Sequence, residues 1–299
     1  MLLIGTSGWS YEDWVGPVYA PEFKERRGAW LELYAKRFDT VEINSTFYRL
    51  PEARTVEGWV QKAARVGGPF EFSLKAPQDV THTAMVQGDA AMVRDVLDQL
   101  RGEVLAPLAD AKVLGAVLLQ LSPHFHGGEE QTRMLDLALG ALQGFEVAVE
   151  FRHRTWVEGR NLAPEAADVL RSHGAALCAV DGPSFPPMLR DIGRHAYVRF
   201  HGRRADVWFA RGKARETEDG LPARYDYSYT KAELEPWARV LQANDPTFAR
   251  VRAYFNNHPR GQAVQNAEEM RGLLGLSALV RTKPDLKPEG RAQRTLGDY

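Results

Sequence analysis

The chain has 299 residues and a single cysteine, Cys178. One cysteine excludes a disulfide within the chain and a cluster of thiolate metal ligands. Long hydrophobic runs are missing as well: no stretch reaches the ~20 apolar residues that a membrane-spanning helix needs. The first residues, Met-Leu-Leu-Ile-Gly, carry no basic segment and no extended apolar stretch of the kind that directs secretion. These absences point to a reducing, cytoplasmic setting without a membrane. Charge of one sign is also lacking, because 38 basic residues face 39 acidic ones for a formal net charge of −1. Bulk electrostatics therefore favours neither nucleic acid nor an anionic surface. Two sequence signatures of chemistry are missing too. No His-Glu-x-x-His metal motif occurs, and Thr6-Ser7-Gly8 does not make a Gly-x-Ser-x-Gly nucleophile elbow.

What remains is an ordinary globular composition, 44% hydrophobic and 26% charged, arranged in a regular alternation. Short apolar strands are predicted at 2–6, 40–44, 70–75, 115–120, 146–150, 175–180, 196–201 and 251–255. Helical periodicity predicts helices at 28–37, 55–65, 90–100, 130–142, 164–173, 231–243 and 266–274. Thr230 and Glu233 have capping-box spacing, and Pro164 suits a first helical turn. Eight strands alternating with helices imply a parallel sheet and an α/β fold, a single (β/α)8 TIM-like barrel over 1–282. The helix after strand six is expected to be incomplete, since 181–194 holds Pro183, Pro186 and Pro187. The polar segment 283–299 reads as a tail. A doubly wound sheet is the competing fold, but Gly5-Thr-Ser-Gly8 lacks its third phosphate-binding glycine.

Within each strand the polar residues share one side of the pleat and cluster toward the C-terminal end. Glu42 and Asn44 alternate with Val41 and Ile43, and Ser73 and Lys75 alternate with Phe72 and Leu74. Gln120, Glu150, Arg152, Asp181, Arg199, His201, Tyr254 and Asn256 continue the pattern. In a barrel these positions gather at the C-terminal mouth, where such enzymes keep their sites. Glu42, Glu150 and Asp181 are candidate bases, with His201 and His82 as partner acids. Lys75, Arg152 and Arg199 suit a phosphate or carboxylate. Asn44, Gln120, Tyr254 and Asn256 would orient that substrate, and Trp9 and Tyr11 would stack on it. The sequence identifies no particular cofactor. A single divalent metal held by the carboxylates with His201 is the alternative use of the same groups, disfavoured by three cations that compete with a metal for negative charge. Basic residues of 202–228 (Arg203, Arg204, Arg211, Lys213 and Arg215), with the aromatic loop 7–19, offer a nucleic-acid surface as a second reading. A barrel that binds without catalysis is a third. Cys178, mid-strand, reads as an inert core residue.

Several motifs together resemble the DUF72 family, the YecE-like proteins. They are Ile4-Gly-Thr-Ser-Gly-Trp-Ser-Tyr11, Thr40-Val-Glu-Ile-Asn-Ser-Thr-Phe-Tyr48, Phe72-Ser-Leu-Lys-Ala-Pro77 with Thr81-His82, Val149-Glu-Phe-Arg-His153 with Trp156, Tyr197-Val-Arg-Phe-His-Gly202 and Tyr254-Phe-Asn-Asn257. The resemblance runs from about Leu2 to Thr282. It implies a TIM-like barrel broadly similar to those of metal-dependent sugar isomerases and endonuclease IV-type nucleases, and it brings no assigned reaction.

Overall fold

A computed structural model of the chain describes residues 1–159, 161–190, 192–277 and 279. Eight parallel strands form one sheet: β1 (Leu2–Thr6), β2 (Thr40–Ile43), β3 (Glu71–Lys75), β4 (Leu114–Gln120), β5 (Glu146–Glu150), β6 (Ala176–Asp181), β7 (Ala196–Phe200) and β8 (Val251–Phe255). From β2 onward each strand pairs with the next in the chain, and β8 pairs with β1, so the sheet curls toward a barrel whose last joint lies between β1 and β2. The expected fold class is the one found. The predicted tail at 283–299 lies outside the described residues.

The helices pack outside. They are α1 (Trp30–Ala35), α2 (Ala53–Arg65), α3 (Ala90–Leu100), α4 (Glu129–Ala141), α5 (Pro164–His173), α6 (Lys231–Asn244) and α7 (Gln262–Leu273). The Thr230–Glu233 capping box opens α6, and Pro164 opens α5. No helix forms among the described residues of 182–195, as the three prolines there require. Additional helical turns at Asp79–Ala84, Arg101–Leu105 and Ala106–Asp110 lie between β3 and β4. Among the described residues no helix is long and apolar enough to cross a membrane.

Strand parity sorts the side chains into two cores. Val41, Phe72, Leu74, Val117, Val149 and Phe200 face outward into the layer shared with the helices. Ala116, Leu118, Ala148, Ala176, Cys178, Val180, Tyr197 and Tyr254 form a separate cluster inside the barrel. Large apolar groups therefore fill the outer layer, where burying each contributes roughly 1.5–3 kcal/mol. The interior holds alanines, Cys178, Leu118 and Val180 with two tyrosines and the charged groups of the strand ends.

The β1–β2 seam is the weakest joint, held by one isolated bridge between Ser7 and Glu42. Tyr34 reinforces it: its hydroxyl accepts from the Thr6 N–H at 2.9 Å and donates to the Thr40 carbonyl at 3.0 Å. Gly5 allows this approach, since a Cβ there would sit 2.3 Å from the Thr40 carbonyl oxygen. At the N-terminal end of the barrel, the buried Arg252 pairs with Glu71 at 2.6 Å and Glu146 at 2.7 Å, closing the floor with matched charge.

Candidate functional site

The mouth is built in two tiers. The lower tier centres on Arg199 of β7, which is buried. Its guanidinium donates to Glu42 of β2 at 2.7 Å and to Glu150 of β5 at 2.7 Å, spanning the barrel. Glu42 also accepts from the Ser7 hydroxyl and the Tyr197 hydroxyl, each at 2.7 Å. Arg152 donates to the second oxygen of Glu150 through a short contact. Both carboxylates are thus fully partnered and sealed from solvent. Burial alone would raise the Glu150 carboxyl, but Arg152 and Arg199 outweigh it and hold it well below the usual range.

His201 lies in the same tier, fully buried, with Nδ1 3.0 Å from Asn256 Nδ2 and Nε2 3.3 Å from Arg152. Burial and the Arg199 charge push its imidazole down to about 4, so it is neutral at pH 7. Cys178 contacts the buried oxygen of Glu150 at 3.9 Å, and burial pushes its thiol well up, consistent with an inert core role.

The upper tier is a cavity of about 930 Å³ open to solvent. Four basic side chains line it: Lys75, Arg152, Arg199 and Arg224. No aspartate or glutamate lines it among the described residues. The acids of the mouth lie beneath the guanidinium groups that cover them. The Nε–H of Arg199 is buried and has no acceptor among the described residues.

Lys75 differs from its neighbours. Arg152 and Arg199 each have a carboxylate, whereas no carboxylate lies within ion-pair distance of Lys75 among the described residues. Its Nζ instead sits 3.5 Å from the centre of the Phe47 ring. Burial, then the positive charges of Arg199 and Arg152, lower its ammonium from the ordinary lysine range to about 7. Cation–π attraction of ~0.5–2 kcal/mol returns part of the lost hydration.

Other expected residues share the cavity with this amine. Asn44, Gln120 and Asn256 line the cavity, as do Trp9 and Tyr11. His82 also reaches it from the wide, π-type turn Asp79–Ala84, whose extra residue re-aims the backbone. Its ring packs edge-on against Phe47, and burial, then the Lys75 charge, lower it to about 4.

Two expected residues stand elsewhere. Asp181 follows Leu177 and Ala179 in parity, so it points away from the barrel interior. Its carboxylate accepts from Arg203 at 2.7 and 2.9 Å, Tyr229 at 2.9 Å and Trp237 at 2.7 Å, tying the segment after β7 to α6. Tyr254 faces inward but too deep, its hydroxyl bonded to Thr40 at 2.6 Å and Ser73 at 2.9 Å below the mouth. Glu42, Glu150 and His201 stand directly under the cavity without lining it.

Arg224, Tyr225 and His258 line the cavity and were not singled out by strand parity, because they lie between strands, the first two in the 3-10 turn Ala223–Tyr225. The Tyr227 and Tyr229 network with Asp181 and Asn257 fixes the loop that carries Arg224. Tyr11 stacks on His258 with ring centres 4.3 Å apart, and Trp14 is buried with its indole N–H on the His258 carbonyl. The aromatic run after β1 is therefore mostly wall and core. No three His, Cys, Asp or Glu side chains among the described residues gather in a way that would hold a metal ion.

Comparisons with known proteins agree with this architecture. A family model described as "Protein of unknown function DUF72" matches residues 3–291. The UPF0759 protein YunF of Bacillus subtilis is 28% identical over 294 residues, covering 96% of this chain and all of that protein. The UPF0759 protein YecE of Escherichia coli is 32% identical over 155 residues, about half of each chain. A crystal structure of a DUF72 family protein from Thermotoga maritima superposes with a TM-score of 0.77 at 30% identity, covering 92% of this chain and 99% of that one. One from Enterococcus faecalis gives 0.75 at 23% identity, covering 95% and 98%, and shares the fold.

Proposed function

The chain belongs to the DUF72 family, and from that premise we propose that it is an enzyme binding a small anionic substrate at the C-terminal mouth of its barrel. One observation carries the reading: Lys75, Arg152, Arg199 and Arg224 line the cavity, and among the described residues no carboxylate does. A ligand bearing a phosphate or carboxylate gains charge-assisted hydrogen bonds there that a neutral one does not.

The buried acids set this up. Glu42 and Glu150 hold Arg199 between them, and Glu150 holds Arg152. The guanidiniums are oriented before any ligand arrives, which lowers the ordering cost of binding. Asn44, Gln120 and Asn256 supply hydrogen bonds for the hydroxyls of a sugar-like substrate. Glu150 is too strongly held as an anion, and His201 too deep, to exchange protons with a ligand. Proton transfer falls to Lys75 and His82, which touch the cavity.

The nucleic-acid reading has less behind it. Trp14 and Tyr19 of the aromatic loop are buried, and Arg203 and Arg204 are paired with Asp181 and Asp206.

Thermal unfolding with phosphate, sugar phosphates and neutral sugars tests the proposal. Phosphate-bearing ligands should raise the midpoint, by the equivalent of ~2.7 kcal/mol at a hundredfold excess over Kd. Neutral sugars should do much less, and Lys75→Met with Arg224→Ser should abolish the difference. Equal responses to charged and neutral ligands, or none to either, would refute it.

A further inference from the structure

We infer that Lys75 is the nucleophile of this site, its side-chain amine adding to the carbonyl of a substrate that also carries a phosphate or carboxylate. The inference rests on the anion-site reading and names its substrate class, a carbonyl-bearing anion such as a ketose or aldose phosphate or a keto acid.

The geometry singles out this amine. Lys75 ends β3 with its side chain in the cavity and no carboxylate within ion-pair distance among the described residues. Every carboxylate near it, Glu42 and Glu150, is occupied by Arg199 or Arg152. The face of Phe47 at 3.5 Å takes the place of water on one side. Arg199 and Arg152 oppose its charge, Glu150 and Glu42 favour it, and His82 stands neutral alongside. The balance leaves an ammonium titrating at about 7, so roughly half the molecules hold a free amine at neutral pH. A lysine of ordinary pKa has about one amine in a thousand or fewer under the same conditions.

A lysine purposed only to hold an anion would keep its charge and is better served by a carboxylate at its side or by arginine. Desolvation beside other cations is instead the arrangement that activates a lysine as a nucleophile. The step balances without an oxidant. The amine lone pair forms a C–N bond to the carbonyl carbon as the C=O π bond breaks, and a proton passes from the nitrogen to the oxygen to give a neutral carbinolamine. Breaking the C–O bond, with a second proton carried to the leaving hydroxyl, then releases water and leaves a C=N bond. Water in the open cavity shuttles these protons. The resulting iminium withdraws electrons from the adjacent carbon, the activation that isomerisation, dehydration or carbon–carbon cleavage requires.

Pyridoxal 5′-phosphate, an aldehyde that carries a phosphate, is the probe. The protein is treated with a limiting amount at neutral pH, reduced with borohydride and digested, and each lysine peptide is weighed. Labelling at Lys75 should exceed that at Lys24, Lys36, Lys62 or Lys112 by at least about tenfold, given the difference in free amine. Inorganic phosphate should suppress it, and its pH dependence should rise with a midpoint near the value that burial imposes. Lys75→Arg, which keeps the charge and the anion site, should lose the label and still bind phosphate. Labelling of Lys75 no faster than surface lysines overturns the inference. If phosphate still stabilises the protein in that case, the anion site stands without the nucleophile. If Lys75 labels selectively while phosphate neither binds nor protects, the nucleophile stands and the anion site falls.

Discussion

Arg199 and Glu42, from strands β7 and β2, meet at 2.7 Å inside the barrel with both side chains buried. The pair reaches across the mouth and turns a buried acid into a clamp for a cation that lines the cavity. Breaking such a pair from one side strands the other charge, at a cost of ~3–5 kcal/mol. Glu42→Gln should lower stability by about that amount in urea titration. A loss below ~1 kcal/mol would show that the clamp does not hold the mouth together.

Acid should unfold the protein earlier than its carboxylates alone would dictate. His201 has a folded pKa of about 4, below its unfolded value near 6.5. The unfolded chain therefore binds more protons between these values, and stability is full above about 6.5 and declines as pH falls toward 4. His195 and His258, both lowered to about 4, add to the same window. The depressed Glu150 contributes stability that is present above its unfolded pKa and lost below it. Chemical denaturation at stepped pH should show the decline beginning above pH 5, with a shallower slope in His201→Gln. A flat profile down to pH 5 would contradict the buried neutral histidines.

Two glycines should answer alanine in opposite directions. At Gly5 a Cβ would meet the Thr40 carbonyl oxygen at 2.3 Å, so Gly5→Ala should part the β1–β2 seam and cost ~3 kcal/mol or more. Gly58, inside α2 with nothing within 4 Å, should gain up to ~1 kcal/mol as alanine. Comparable effects at both sites would mean that the seam is not closely packed.

Asp181 should act on the loop and not on the barrel. Losing its bonds to Arg203, Tyr229 and Trp237 in Asp181→Ala should speed tryptic cleavage at Arg211, Lys213 and Arg215 while circular dichroism stays unchanged. Unaltered cleavage would show that the segment is fixed by other contacts.

The barrel was legible in the sequence because apolar strands and amphipathic helices alternate and their boundaries carry ordinary signals, as at Thr230 and Pro164. Strand parity also brought Asn44, Lys75, Gln120, Arg152, Arg199 and Asn256 to one cavity. Parity cannot report depth, so Tyr254 and His201 read as mouth residues although both lie beneath it. Asp181 was misplaced because it continues a strand whose inward residues are Ala176, Cys178 and Val180, one register out of phase. Arg224 and His258 reach the cavity through tertiary contacts of loops, which leave no periodic trace. Nor did local sequence show that Lys75, alone of the three cations at the strand ends, would be left without an acid among the described residues.

Sulfate binding across neutral pH tests the central claim most directly, because sulfate keeps a constant charge where Lys75 titrates. Calorimetric titration from about pH 6 to about pH 9 should show affinity falling as pH rises through about 7, where the Lys75 ammonium is lost. The Lys75→Arg variant, charged throughout, should bind sulfate with an affinity that does not change over that range. No sulfate binding at low pH, or the same pH dependence in the arginine variant, would contradict an anion site governed by Lys75.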